Sequence, residues 1–124
     1  MACFWEAQIA ALSATELQMV GGRRPEVLKR FYQTRFLDPT NVLVQGKALT
    51  EQERSEHREW LRCDQDHVYG GHLTSTCDPY LVQLCEHFRV NVDHVYNGSL
   101  VQYHIPRATR LLKFQSSTNH FWKT

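Results

Sequence analysis

The sequence contains no apolar run approaching the ~20 residues that a membrane-crossing helix needs, and Glu6 interrupts the one N-terminal stretch that could resemble a targeting segment. Charge of one sign is also missing. Fourteen Lys and Arg against 13 Asp and Glu leave a formal net charge of +1, which removes the electrostatic argument for nucleic acid or an acidic membrane surface as a partner. Cysteine is too sparse for a disulfide scaffold. The four in 124 residues, at positions 3, 63, 77 and 85, match no familiar bridging framework. Internal repeats, low-complexity tracts and Gly/Ser/Pro-rich linkers are absent. Together these point to one reduced, soluble domain over residues 1–124, expected in the cytoplasm and as a monomer, whose thiols need separate explanations.

What is present is ordinary globular usage. Hydrophobic residues make up 42% and charged residues 22%, so wholesale disorder is excluded. A chain of this length buries roughly two-thirds of its unfolded surface, enough for one core without staples.

Residues 3–12 carry Phe4, Trp5, Ala7, Ile9, Ala10, Ala11 and Leu12 with only Glu6 and Gln8 polar, a pattern for a helix buried on most of its circumference. Ser13 and Thr15 can cap a continuation through Val20, ended by Gly21-Gly22. Pro25 suits the first position of the next helix, where its missing N–H would go unpaired anyway. Val27, Leu28, Phe31 and Tyr32 give that helix its stripe, and Asp38-Pro39 closes it. A short apolar run at 42–44 allows an extra strand. Thr50-Glu51-Gln52-Glu53 reads as a capping box opening a helix that is polar until Trp60 and Leu61, and so mostly solvated.

Asp78-Pro79 starts another helix, with a core face of Leu81, Val82, Leu84, Cys85 and Phe88. From Val90 the period changes to two. Val90 and Val92 alternate with polar residues, Asn97-Gly98 is a hairpin signal, and Val101, Tyr103 and Ile105 alternate again. Residues 110–115 read as a further strand and 116–119 as a loop, followed by His120-Phe121-Trp122. Helices first and a small, mainly antiparallel sheet after them define an α+β class.

Chemistry points first to the two ends of the chain. Cys3 opens the most buried-looking helix, and unpaired N–H groups and the helix dipole there stabilise a thiolate and make it a nucleophile. His120 follows a strand and a polar loop, where a side chain can be aimed at a cleft. A Cys–His pair of this kind is a common way to build a thiol hydrolase.

Cys3-Phe4-Trp5-Glu6-Ala7 resembles the nucleophile motif of the ovarian-tumour (OTU) family of cysteine proteases. Tyr69-Gly70-Gly71, then Leu81, Leu84, Phe88, Val90 and Val92, then Tyr96-Asn97-Gly98, are similar to its middle segment. Leu111-Leu112-Lys113-Phe114 and Asn119-His120-Phe121-Trp122 resemble its histidine motif. The likeness runs through nearly the whole chain in order, at a length suited to compact viral members. It implies a papain-like domain with N-terminal helices packed on the sheet, acting in the host cytoplasm if viral. Cys3 would be nucleophile and His120 general base, cleaving after a Gly-Gly tail as in ubiquitin or a ubiquitin-like protein. The same chemistry would serve cleavage of the chain's own polyprotein, and no cofactor or metal is implied. Thiol and imidazole are then expected within roughly 4 Å of each other. Trp5, Gly70, Gly71, Trp60 and Trp122 are the expected substrate contacts, Trp60 as an aromatic anchor in a polar stretch.

Two departures accompany the resemblance. Many members carry Asp or Asn two residues after the histidine, where this chain has Trp122, which cannot accept a hydrogen bond. Asn119 is the nearest polar substitute. Family members also place an Asp-containing loop before the cysteine for the oxyanion, whereas Met1 and Ala2 precede Cys3 here. Both departures favour the contrasting expectation, a non-catalytic interaction domain on the same fold.

Two further motifs compete. Leu84-Cys85-Glu86-His87-Phe88 resembles the nucleophile motif of the H-box/NC acyltransferases, with His57, His67 or His72 as the upstream base. The plainer reading of Cys85 is a small core residue. Cys63, His67, His72 and Cys77 form a Cys-x3-His-x4-His-x4-Cys series whose ligand chemistry suits zinc but whose spacing matches no common module. The plainer reading there is a solvated loop. Residues 50–61 and Arg23-Arg24 are expected on the surface.

Overall fold

The computed structural model describes residues 3–62, 71–117 and 120–124. Among them the helices are α1 (Cys3–Ala11), α2 (Ala14–Val20), α3 (Pro25–Thr34), α4 (Glu51–Arg62) and α5 (Pro79–Phe88). The strands are β1 (Leu43–Val44), β2 (Lys47–Ala48), β3 (Asn91–Tyr96), β4 (Ser99–His104), β5 (Leu111–Ser117) and β6 (His120–Lys123). One sheet runs in the order β2-β1-β4-β3-β5-β6, giving the expected α+β class.

Local chemistry explains the helix boundaries. Ser13 and Glu16 form a reciprocal capping box on α2, and left-handed Gly21 ends it. Thr50 and Glu53 do the same for α4. Asp78 caps α5 by accepting from the Tyr80 N–H at 2.9 Å. α3 starts at Pro25 as expected but stops at Thr34, short of Asp38-Pro39. The chain beyond is drawn out by two buried polar groups of α5. Gln83 pairs with both the N–H and the C=O of Leu37 (3.0 and 2.7 Å). The Glu86 carboxylate accepts from the backbone N–H groups of Asn41 and Val42, both at 3.0 Å.

The sheet is mixed. All its pairings are antiparallel except β3 with β5, which are parallel. The β3–β4 hairpin brings the chain back to the end where β3 began. A six-residue connection, 105–110, can therefore start β5 on the other side of β3 without a long crossover. That connection is pinned by Thr109 N–H to Arg89 O (2.9 Å) and by Asn91 N–H to Arg110 O (3.0 Å). The apolar run at 42–44 becomes a short hairpin whose turn, Gln45-Gly46, has φ of 52° and 77°. Asn97-Gly98 forms the second hairpin with the same pair of positive φ signs.

Side chains alternate throughout β5 and over the inner parts of β3 and β4. Val92 and His94 of β3, Val101 and Tyr103 of β4, and Leu112, Phe114 and Ser116 of β5 are buried, while Leu100, Leu111, Gln115 and Trp122 face out. α5 lies against the inner face, where the Tyr103 hydroxyl accepts the Asp78 N–H at 2.9 Å. α1 packs along the edge strand β6. Arg110 ties this layer to β5 by donating to both Glu16 carboxylate oxygens (2.8 and 2.6 Å) and to Ala11 O (3.2 Å). Burial alone would raise the Glu16 carboxyl, but hydrogen bonds from Arg110 and Ser13 outweigh it and hold it below the usual range. No helix among the described residues is long and apolar enough to cross a membrane.

Candidate active site

The two ends of the chain meet where α1 runs along β6. Phe4, the residue after Cys3, and Phe121, the residue after His120, have ring centroids 4.8 Å apart in an edge-to-face arrangement. Both rings are buried, and Phe121 also meets Phe114 at 5.0 Å and His94 at 5.1 Å. Cys3 is a half-buried free thiol in the first turn of α1. His120 opens β6 opposite Ser117 of β5, with an exposed side chain. Among the described residues Cys3 and His120 form no mutual hydrogen bond. A sulfur–imidazole contact among the described residues instead joins Cys77 Sγ and His57 Nε2, at 3.5 Å. Catalytic hydrogen bonds are often long in substrate-free sites.

The other expected site residues fall in different places. Trp122 stacks on the His120 ring, centroids 5.1 Å apart and planes at 26°, and is exposed. The Trp5 ring is half-buried among Phe4, Tyr32 and Tyr80, nearest to Tyr80 at 4.7 Å. Gly71 is buried under Phe121, and its φ of 77° lies in the left-handed region. Trp60 lies on α4, which packs against α3 and α5, so it is not on the α1–β6 junction. Asn119 and Gly70 lie outside the described residues.

Burial separates Cys3 from the other described thiols. Cys77 and His57 touch, but both are buried, Cys77 by 100% of its surface and His57 with 2% exposed. Burial pushes the Cys77 thiol up to about 11 against hydrogen bonds from Thr74 and Thr76, and pushes His57 down to about 4 against the nearby Glu53. Both are therefore neutral at neutral pH, and the pair packs α4 against the start of α5 instead of supplying a thiolate. α4 is mostly solvated as expected, with His57 and Leu61 its buried residues. Cys85 is fully buried in the middle of α5, and burial drives its thiol far above the ordinary range. That suits a small core residue and leaves no route for an acyl donor.

Of the four candidate zinc ligands, Cys63 and His67 lie outside the described residues. His72 stacks on Tyr96 at 4.6 Å, Cys77 is engaged with His57, and no cluster of three or more metal-ligating side chains occurs among the described residues.

One polar group beside the site had no signal in the sequence beyond the alternation of β3. His94 is fully buried next to Phe121, with Nε2 2.7 Å from Ser116 Oγ and Nδ1 unpaired. Burial, and secondarily His72, push it from an ordinary 6.5 down to about 4. The native state thus holds fewer protons than the unfolded chain between those values. The stability His94 contributes is full above pH 6.5 and is lost as pH falls toward 4. His57 acts in the same direction. Asp78, pushed up to about 7 by burial, acts in the opposite one, losing stability as pH rises through 7. His94→Gln keeps a neutral partner for Ser116, so its melting temperature should fall less than the wild type's between pH 7 and pH 5. Parallel melting curves at the two pH values would show that His94 does not take up the proton.

Comparison with protein-family models, curated proteins and solved structures gave no match for the chain.

Proposed function

We propose that the chain is a papain-like thiol hydrolase of the ovarian-tumour type that removes ubiquitin or a ubiquitin-like modifier by cleaving the bond after a Gly-Gly tail. The observation that carries the reading is the Phe4–Phe121 contact at 4.8 Å, because Cys3 and His120 are each one residue from it. Residues separated by almost the whole chain thereby reach one junction. Cys3 is the accessible described thiol, whereas Cys77 and Cys85 are sealed in the core.

In this mechanism His120 takes the Cys3 thiol proton as sulfur attacks the carbonyl carbon. It returns that proton to the leaving amine, leaving a thioester on Cys3. Water, deprotonated by His120, then attacks the thioester and releases the modifier's carboxylate and the free thiol. The same steps cut a peptide bond within a polyprotein carrying such a tail.

A ubiquitin bearing a C-terminal thiol-reactive electrophile tests this. An adduct located by peptide mass spectrometry at Cys3 supports the hydrolase. No adduct favours the non-catalytic interaction domain. An adduct at Cys85 transfers the reading to the acyltransferase-like motif.

A further inference from the structure

We infer that Trp122 is the positioning residue for His120, fixing the imidazole plane by stacking in the place where a hydrogen-bonding carboxylate or amide would otherwise act. The inference rests on the thiol-hydrolase reading above. A general base that collects a proton from Sγ and delivers it to an amine must keep its reacting nitrogen in line throughout. His120 is exposed on the outer face of an edge strand, where a free imidazole would sample several rotamers.

The strand itself removes that freedom. Successive side chains of β6 alternate in direction, so Phe121 anchors the backbone in the core while His120 and Trp122 share the outer face two residues apart. Their rings lie nearly face to face, 5.1 Å between centroids at 26°. Indole has no hydrogen-bond acceptor to offer imidazole. Stacking instead fixes the plane of the ring and leaves its nitrogens at the ring edge, away from the indole face. The indole face also attracts the imidazolium formed once the thiol proton has moved, so the contact strengthens in the charged state that the reaction passes through. Trp122 stands opposite Gln115 on β5 and His120 opposite Ser117, which makes Ser117 a further side chain, among the described residues, placed to orient the ring.

The test uses the full chain with Trp122→Leu, Trp122→Phe and Ser117→Ala, a fluorogenic ubiquitin C-terminal substrate, and NMR of the His120 ring protons. Trp122→Leu should lower kcat by about tenfold to a hundredfold, as expected for a displaced base, with KM little changed. Trp122→Phe, which keeps an aromatic face, should recover most of the loss, and Ser117→Ala should leave kcat near wild type. The His120 ring protons should move downfield in the leucine variant, as the indole ring current disappears, and stay close to wild type in the phenylalanine variant.

An unchanged kcat in Trp122→Leu overturns the inference, as does a rise confined to KM, which would make Trp122 a substrate contact. Ring protons indifferent to the leucine change would show that the stack does not form in solution, and a kcat loss in Ser117→Ala matching that of Trp122→Leu would give the role to Ser117. Turnover by the wild type together with any of these results leaves the hydrolase reading standing and removes only the role of Trp122. Absence of turnover and of a Cys3 adduct in the wild type, with the stack intact by NMR, overturns the hydrolase reading and the catalytic role with it.

Discussion

Cys3→Ala should abolish release of a ubiquitin C-terminal fluorophore, lowering kcat/KM by at least about a thousandfold, because losing the nucleophile removes the whole covalent route. The fold should survive. Cys3 is half-buried at the first residue of α1, and alanine is the best helix former, so lost sulfur packing is partly offset. Circular dichroism and thermal melting should therefore match wild type closely. Cys85→Ala gives the opposite pattern. It opens a cavity in the sealed core and lowers the melting temperature, while kcat of the folded fraction stays near wild type. A variant pair in which Cys85 carried the activity loss and Cys3 did not would reverse the assignment.

Gly71→Ala should be among the most damaging single changes outside the reacting pair. A Cβ at Gly71 would stand 2.7 Å from Phe121 Cδ2 and 3.0 Å from His94 Cε1, both on buried rings with little room to yield. The left-handed φ of 77° adds backbone strain for any residue with a Cβ. Strain of about 1–2 kcal/mol and overpacking of about 1–3 kcal/mol give a loss of roughly 2–5 kcal/mol. Gly46 supplies the control, since it has the same φ of 77° and nothing within 4 Å of its added Cβ. Gly46→Ala pays the strain alone, so the difference in unfolding free energy between the two variants isolates the clash with Phe121. Activity should follow, because Phe121 joins β6 to α1. Equal destabilisation of the two variants would mean that Gly71 does not support the junction.

Much of this architecture is legible in the sequence because its signals are local. The Ser13 cap of α2, the capping box of α4, the Asp78-Pro79 start of α5 and the Asn97-Gly98 turn are each satisfied within a few residues. The alternation of β3 to β5 is readable for the same reason. The other features depend on partners far along the chain. Gln83 and Glu86 look like the polar side of α5 until the 37–42 segment arrives to claim them. His57 reads as a solvated helix residue until Cys77 covers it. The Gln45-Gly46 turn lacks the asparagine that marks Asn97-Gly98, although its backbone has the same signs. The parallel pairing of β3 with β5 is set by where the 105–110 connection lands, which periodicity does not encode. At the candidate site, Cys3, His120 and Trp122 are legible as residue types in order, whereas the Phe4–Phe121 contact and the ring stack arise only from tertiary packing.

The coupling of Cys3 to His120 is measured most directly by alkylating Cys3 with iodoacetamide near neutral pH in wild type and in His120→Ala, with labelling quantified by peptide mass spectrometry. If His120 takes the thiol proton, removing it should slow labelling of Cys3 by about tenfold or more, while Cys77 and Cys85 stay protected in both proteins. Equal rates at Cys3 in the two proteins would contradict the account.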